Sequence, residues 1–440
     1  MRGKERIGVG LIGAGTVGGG VIRELNKYGE DLGLDLRAVL IDNPEKPREF
    51  EAHYTTNEDE LFEEPGIDVV IELMGGTDEA RRFATRAIEE DKSLITANKA
   101  LLAEDAKVIF DAARARGLDV GFEASVAGII PIGSLLRHFQ GQRIKSIRGE
   151  FNGTSNYVLT RREEDQMSQE DAIKDAEAKG FAEKDSSRDI KGDDATDKIV
   201  LVASLAFNTA FDRSQIQPVG IDIVTDEDIK IAKMLGMEAY IVNGKLDFKI
   251  VGYSIRSISQ AVLYEDETVE ISTSPTLVRK DNPLASVRNE NNGITIETEN
   301  GNPITIHIQG PGAGRDATTS AVMADLIRIS NNRRRRVADN LPMLDGNYQL
   351  RDPKKATSKW YIRLKLKDEV GSIEVLSRIL REQNLSMEHS IQGGISEHPA
   401  FKSDYITLHE ATEEQVIFAS EALGKSDRVT DEVFRLRRID

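Results

Sequence analysis

Between Glu183 and Lys198 ten ionisable side chains crowd together, and from Ile199 to Phe207 there is none. A helix across that boundary places Asp194 and Lys198 at i and i+4, on one face with Leu201, Val202 and Leu205. The face runs from charge into core, so the stretch either carries charge inward or, as charged runs more often do, lies on a wet surface ahead of a core helix. An ammonium at such a border could stabilise negative charge on an oxygen and supply a proton. A second constellation is "GLIGAGTVGGGVI", with Gly13-x-Gly15-x-x-Gly18 directly after an apolar run. Gly13 permits a tight turn, Gly15 lets backbone approach a pyrophosphate, and Gly18 lets the helix pack on the strand. The N–H groups of the helix that opens there would hold the phosphates. Asp42 follows the next apolar run, where an acid that binds ribose belongs.

The elements that must position these groups follow from the pattern. Up to about residue 130, short apolar runs ("RIGVGLIG", "DLRAVLID", "IDVVIELMG", "SLITAN", "LDVGFEAS") alternate with amphipathic helical stretches. That alternation implies βαβ units and a parallel sheet. From about Ser146 to His307 strands and helices mix, as in an α+β domain, before "GPGAG" opens a further helix at Asp316. "NNRRRRVADNLPMLDGNYQLRDPKK" lacks apolar periodicity and reads as a linker with solvated arginines. The order βαββαβ after it is that of a ferredoxin-like domain. The expected organisation is a dinucleotide-binding domain over 1–135 with a further helix at 311–330, an α+β domain over 136–310, a linker over 331–357 and a ferredoxin-like domain over 358–440.

Composition removes several classes. The formal charge, 58 minus 75 or −17, disfavours binding to nucleic acid or to an anionic membrane. No cysteine is present, which excludes disulfides, thiolate metal sites and cysteine nucleophiles. Six histidines in no HExxH-like cluster argue against catalytic zinc. No apolar run approaches a membrane span, and the N-terminus enters a strand at once, so a cytoplasmic protein is expected.

"GAGTVGGGV", "TANKALLA", "FEASVAGIIPI", "GEFNGTSNYVLT", the charged stretch and "GPGAGRDATTSAVMADL" occur in the order found in homoserine dehydrogenases, which residues 6–330 resemble. The terminal unit resembles the ACT domain that many members carry. The resemblance implies a Rossmann domain to which the helix at 311–330 returns, a mixed α/β substrate and dimerisation domain over 136–310, a regulatory role for 358–440, a homodimer or homotetramer, and interconversion of L-homoserine and L-aspartate 4-semialdehyde with NAD or NADP. It implies cofactor contacts at Gly13, Gly15, Thr16, Val17, Gly18, Asp42, Asn98, Lys99 and Gly314. Lys198 matches the proton donor, Asp194 its orienting group, and Lys99 a second catalytic lysine. Glu183, Asp189, Asn152, Gly153 and Thr154 match substrate-binding positions, the last three in a loop. Peptide oxygens at Glu123, Val126, Gly128 and Ile130 match a sodium site.

Ile41 stands where members that prefer NADP often carry Arg, so NAD is expected over NADP, with Lys46 and Arg48 close enough to oppose that reading. The turn from Asp368 to Gly371 matches an effector site, through which L-threonine is expected to inhibit. The alternatives are a dehydrogenase of another amino acid or a sensor of nucleotide and amino acid without turnover. A sensor has no need of the proton donor.

Overall fold

The computed structural model describes residues 6–182, 185–242, 245–299, 303–392 and 401–440. It divides into two interleaved compact units. One comprises Met1–Ile147, Asp194–Ile216 and Glu290–Tyr348, the other Arg148–Asp193, Gln217–Asn289 and Gln349–Asp440.

The first unit is built on β1 (Ile7–Ile12), β2 (Leu34–Leu40), β3 (Tyr54–Thr55), β4 (Val69–Glu72), β5 (Ser93–Thr96) and β6 (Val120–Gly121). They form one parallel sheet in the order β3-β2-β1-β4-β5-β6. Every residue of β1, β4 and β5 is buried, as parallel strands covered on both faces require. The strand order reverses between β1 and β4, and ligands bind outside the carboxyl ends of strands at such a switch point. Four helices connect the strands, α1 (Thr16–Leu32), α2 (Asp59–Phe62), α3 (Asp78–Glu89) and α4 (Lys99–Ala115). Val21, Ile22 and Leu25 of α1 face the sheet at helical spacing, each contributing about 1.5–3 kcal/mol by burial. Gly33, with φ 67°, ends α1 in the left-handed conformation that glycine adopts without strain.

The helix Arg315–Arg335 returns to this unit and packs on α1 through Val322, Leu326 and Ile329. It runs five residues past its expected end and takes three of the four arginines of "RRRR" into its last turn. Arg333 and Arg334 depart from the solvated run the sequence suggested, whereas Arg335 and Arg336 are exposed. Arg333 pairs with Asp68 at 2.9 Å, and Arg334 donates to the carbonyls of Leu32 and Gly33 at 2.8 Å. The stretch after them is also docked rather than free, because Asp119 accepts from the Asp339 N–H and Leu341 and Leu344 are buried.

In the second unit the antiparallel hairpin Tyr253–Leu263 and Thr268–Arg279 pairs with the strand Phe434–Ile439, which runs parallel to its second arm. Thr357–Lys367, Phe401–Thr412 and Met387–Gln392 continue the sheet outward. With the helices Ser372–Glu382 and Glu413–Gly424 these four strands make the expected βαββαβ order. The expected separation of 358–440 does not hold by compactness, since the segment shares a sheet and buried polar contacts with 217–289. Asp228, at the third position of the helix Asp226–Ala232, closes a capping box with Thr225 and also accepts from the Tyr361 hydroxyl and the Arg363 guanidinium, both at 2.9 Å.

Candidate functional site

β1 delivers the chain to Gly13, whose φ is 91° and where a Cβ would fall 2.8 Å from the Leu73 carbonyl oxygen, so a side chain has no room. A Cβ at Gly18 would fall 2.1 Å from the Gly13 oxygen. Both glycines are therefore demanded by the protein's own packing. Gly15 is different, because nothing lies within 4 Å of the Cβ it lacks. Its openness, beside the first turn of α1 formed by Thr16 and Val17, suits a ligand that approaches the backbone. That turn carries no acidic residue, so the positive end of the helix is left uncompensated. Gly314, at φ 103° before the returning helix, is likewise open. Asp42 is exposed just beyond β2 and accepts from the Asn43 N–H at 2.8 Å. Arg48 donates to the Asn43 carbonyl at 2.9 Å, which sets a guanidinium in the same loop as Asp42. These residues fit a dinucleotide.

At the carboxyl ends of β4 and β5 stands a group that the sequence reading passed over. Glu72 is fully buried and accepts from the Thr96 hydroxyl at 2.5 Å and from the Met74 N–H at 2.8 Å. Its signal was an acid closing the apolar run "VVI". Thr96 also accepts from the N–H of Asn98, which caps α4 through Leu101. Lys99 is the first residue of that helix.

Three charges converge around Asp194. Its Oδ1 accepts from the Lys99 ammonium and its Oδ2 from the Lys198 ammonium, each at 2.9 Å. The helix Asp193–Ala206 supplies Asp194 and Lys198, which span one turn, and α4 supplies Lys99. Asp194 and Lys198 are about nine-tenths buried, whereas Lys99 is 36% exposed. Burial alone would push the Asp194 carboxyl up. The ammonium groups of Lys198 and Lys99 outweigh it and hold the carboxyl well below the usual carboxylate range. Asp197, also buried, pairs with Arg213 at 2.7 Å.

In the second unit Asn152 lies between strand and helix, as the expected loop has it, but Gly153 and Thr154 do not. It caps the helix Gly153–Glu164, accepting from the Ser155 N–H at 2.8 Å, so Gly153 and Thr154 form the first turn. The Asn152 amide donates to Asp189 at 2.7 Å, and the Thr154 hydroxyl donates to the Phe181 carbonyl. Glu183 lies outside the described residues. The turn before the helix Ser372–Glu382 has Gly371 at φ 92° and Asp368 paired with Lys402 at 2.8 Å.

The segment Phe122–Ile130 folds tightly against "GPGAG". A Cβ on Gly128, at φ 56°, would meet the Pro311 oxygen at 2.7 Å. The Glu123 carboxylate accepts from the Gly133 and Ser134 N–H groups, which leaves its carbonyl as the atom to offer a cation. The Ile130 carbonyl accepts from the Ile132 N–H. Among the described residues no group of three or more His, Asp or Glu could hold a metal, and no helix is long and apolar enough to cross a membrane.

A family model described as homoserine dehydrogenase matches residues 131–327, and one described as the NAD binding domain of homoserine dehydrogenase matches residues 13–123. The chain is 32% identical over 422 residues to a homoserine dehydrogenase of Bacillus subtilis, with 93% of each chain covered. It is 33% identical to one of Neisseria gonorrhoeae, with 98% of each covered. The solved homoserine dehydrogenase of Thiobacillus denitrificans superposes with a TM-score of 0.89 over the full length of both chains, at 29% identity.

Proposed function

We infer the roles of individual residues from one premise: the chain belongs to the homoserine dehydrogenase family and is an oxidoreductase with an NAD(P)-binding domain, acting on a small amino-acid substrate. The observation that carries the assignment of roles is the Lys99–Asp194–Lys198 cluster. The bound nicotinamide supplies or accepts the hydride. As the aldehyde carbon of L-aspartate 4-semialdehyde is reduced, its oxygen gains negative charge. The Lys198 ammonium stabilises that charge and donates the proton that completes the alcohol, and in the reverse direction the lysine takes it back. Asp194 aims Lys198 through their 2.9 Å ion pair. Lys99, the more exposed of the two lysines, holds the other carboxylate oxygen and faces substrate and cofactor. Glu183 binds the substrate's ammonium by a charge-assisted bond, with Asp189 and the Asn152–Thr154 turn completing the substrate contacts.

Asp42 binds the ribose, and NAD is preferred over NADP. Arg48 in the same loop is the group that would neutralise a 2′-phosphate if the preference were reversed. The carbonyls of Glu123, Val126, Gly128 and Ile130 suit a hard monovalent cation such as sodium. The active form is a homodimer or homotetramer, which light scattering measures directly.

The deciding experiment is homoserine-dependent reduction of NAD and NADP, side by side, for the wild type and Lys198→Ala. Loss of the proton donor lowers kcat by about 100-fold or more and leaves cofactor affinity nearly unchanged. Wild-type turnover in a folded Lys198→Ala protein would remove Lys198 from the chemistry.

A further inference from the structure

Glu72 is an expensive residue for its position. It ends a strand buried on both faces, pairs in register with Ile12 on one side and Thr96 on the other, and is itself 0% exposed. Among the described residues no lysine or arginine is paired with it. Burial pushes its carboxyl up, and only the Thr96 and Met74 bonds oppose that. An apolar residue there would cost the fold less. Local rules are broken in this way where a group serves the site.

What Glu72 touches shows the use. Its Oε2 takes the Thr96 hydroxyl hydrogen, so the Thr96 oxygen is turned to accept from the Asn98 N–H at 2.9 Å. Asn98 is tied at two further points, its Oδ1 accepting from Leu101 N–H at 3.1 Å and its Nδ2 donating to the Gly76 carbonyl at 2.6 Å. The residue so fixed is followed by Lys99, whose ammonium reaches Asp194. We propose that Glu72 is a positioning residue, which through Thr96 and Asn98 fixes the start of α4 and thereby the Lys99 ammonium on Asp194. The proposal rests on the reading of Lys99 given above. A displacement of about 1 Å at a reacting group can cost on the order of 100-fold in rate.

The test compares Glu72→Gln, Thr96→Val and Thr96→Ser in the full chain, each alone and in a Lys99→Ala background. Glutamine keeps the shape but can accept through only one of its two terminal atoms, so one link breaks. Valine keeps the volume and removes the hydroxyl, and serine retains it. Glu72→Gln and Thr96→Val are expected to lower kcat by about 10- to 100-fold, and Thr96→Ser to keep most of the activity. With Lys99 already gone, Glu72→Gln and Thr96→Val should lower kcat by less than about 3-fold more, because the group they position is absent. A residue that merely stabilises the sheet would lower the melting temperature and leave kcat of the folded protein alone, or multiply its loss onto that of Lys99→Ala. Either result overturns the proposal. Wild-type kcat in Lys99→Ala would instead overturn the role of Lys99 itself. Should Glu72→Gln not fold, the Thr96→Val and Thr96→Ser pair decides alone.

Discussion

A carboxylate that accepts from two ammonium groups stays ionised far into acid, and Asp194 does so with one oxygen for each lysine. Its folded value lies below the unfolded one of about 3.9, so its contribution to stability is present above about pH 4 and is lost as pH falls through the lowered value. Asp194→Asn leaves two cations without their shared partner and is expected to destabilise by about 3–5 kcal/mol at pH 7. Unfolding in urea from pH 7 down to pH 2 should show the gap from the wild type closing below pH 4. A gap that stays constant would mean that the carboxylate charge is not what Asp194 contributes. Half of this site was legible in the sequence. Asp194 and Lys198 are one helical turn apart, and periodicity alone shows that their face enters the core. Lys99 is remote in sequence, and only the resemblance pointed to it. Glu72 and Thr96 meet across neighbouring parallel strands, a relation that no spacing encodes.

Among the elements, the pairing of α1 with the helix Arg315–Arg335 separates two glycines that look alike in "VGGGV". A Cβ on Gly20 would stand 2.2 Å from the Thr319 hydroxyl oxygen, whereas on Gly19 the nearest atoms, on Phe50, are 3.9 Å away. Gly20→Ala is expected to lose about 1–3 kcal/mol by forcing the helices apart, despite its gain in helix propensity. Gly19→Ala should gain up to about 1 kcal/mol, because helix propensity then acts unopposed. Thermal melting of the two variants checks this, and equal shifts would show that helix approach does not set the requirement. The sequence displayed three adjacent glycines and could not rank them, since the ranking depends on a helix three hundred residues away.

In the strand Phe401–Thr412 burial pushes Asp404 up to about 6, with Gln392 and Lys402 only partly offsetting it. Here the folded value is the raised one, so the cost of Asp404 appears as pH rises from about 4 to about 6 and is complete above that. Asp404→Asn should therefore stabilise by about 1–3 kcal/mol at pH 8 and by almost nothing at pH 4. Denaturant midpoints at the two pH values measure it. A gain that is the same at both would assign the effect to packing.

At the scale of the molecule, the βαββαβ segment cannot be treated as a detachable regulator. Its strand Phe434–Ile439 lies in the sheet beside Thr268–Arg279, and Tyr361 and Arg363 bond Asp228. Sequence order revealed the segment's own fold but not this attachment, because parallel pairing between remote strands leaves no local mark. The proposal that L-threonine inhibits through the Asp368–Gly371 turn is therefore best tested in the full chain. Threonine should lower activity in the wild type and do so more weakly in Asp368→Ala. Unchanged inhibition would move the effector elsewhere, and none at all would leave the segment as scaffold. The same attachment also bears on biosynthesis. Arg437, which pairs with Thr276, is made 161 residues after it. At about 5–20 residues per second, one edge of the long hairpin waits some 8–32 s on the ribosome for the strand that covers it. During that interval the bare backbone is a docking edge for any other nascent strand. Slow translation over residues 280–433 should therefore lower the yield of native protein far more than the same delay placed before residue 253.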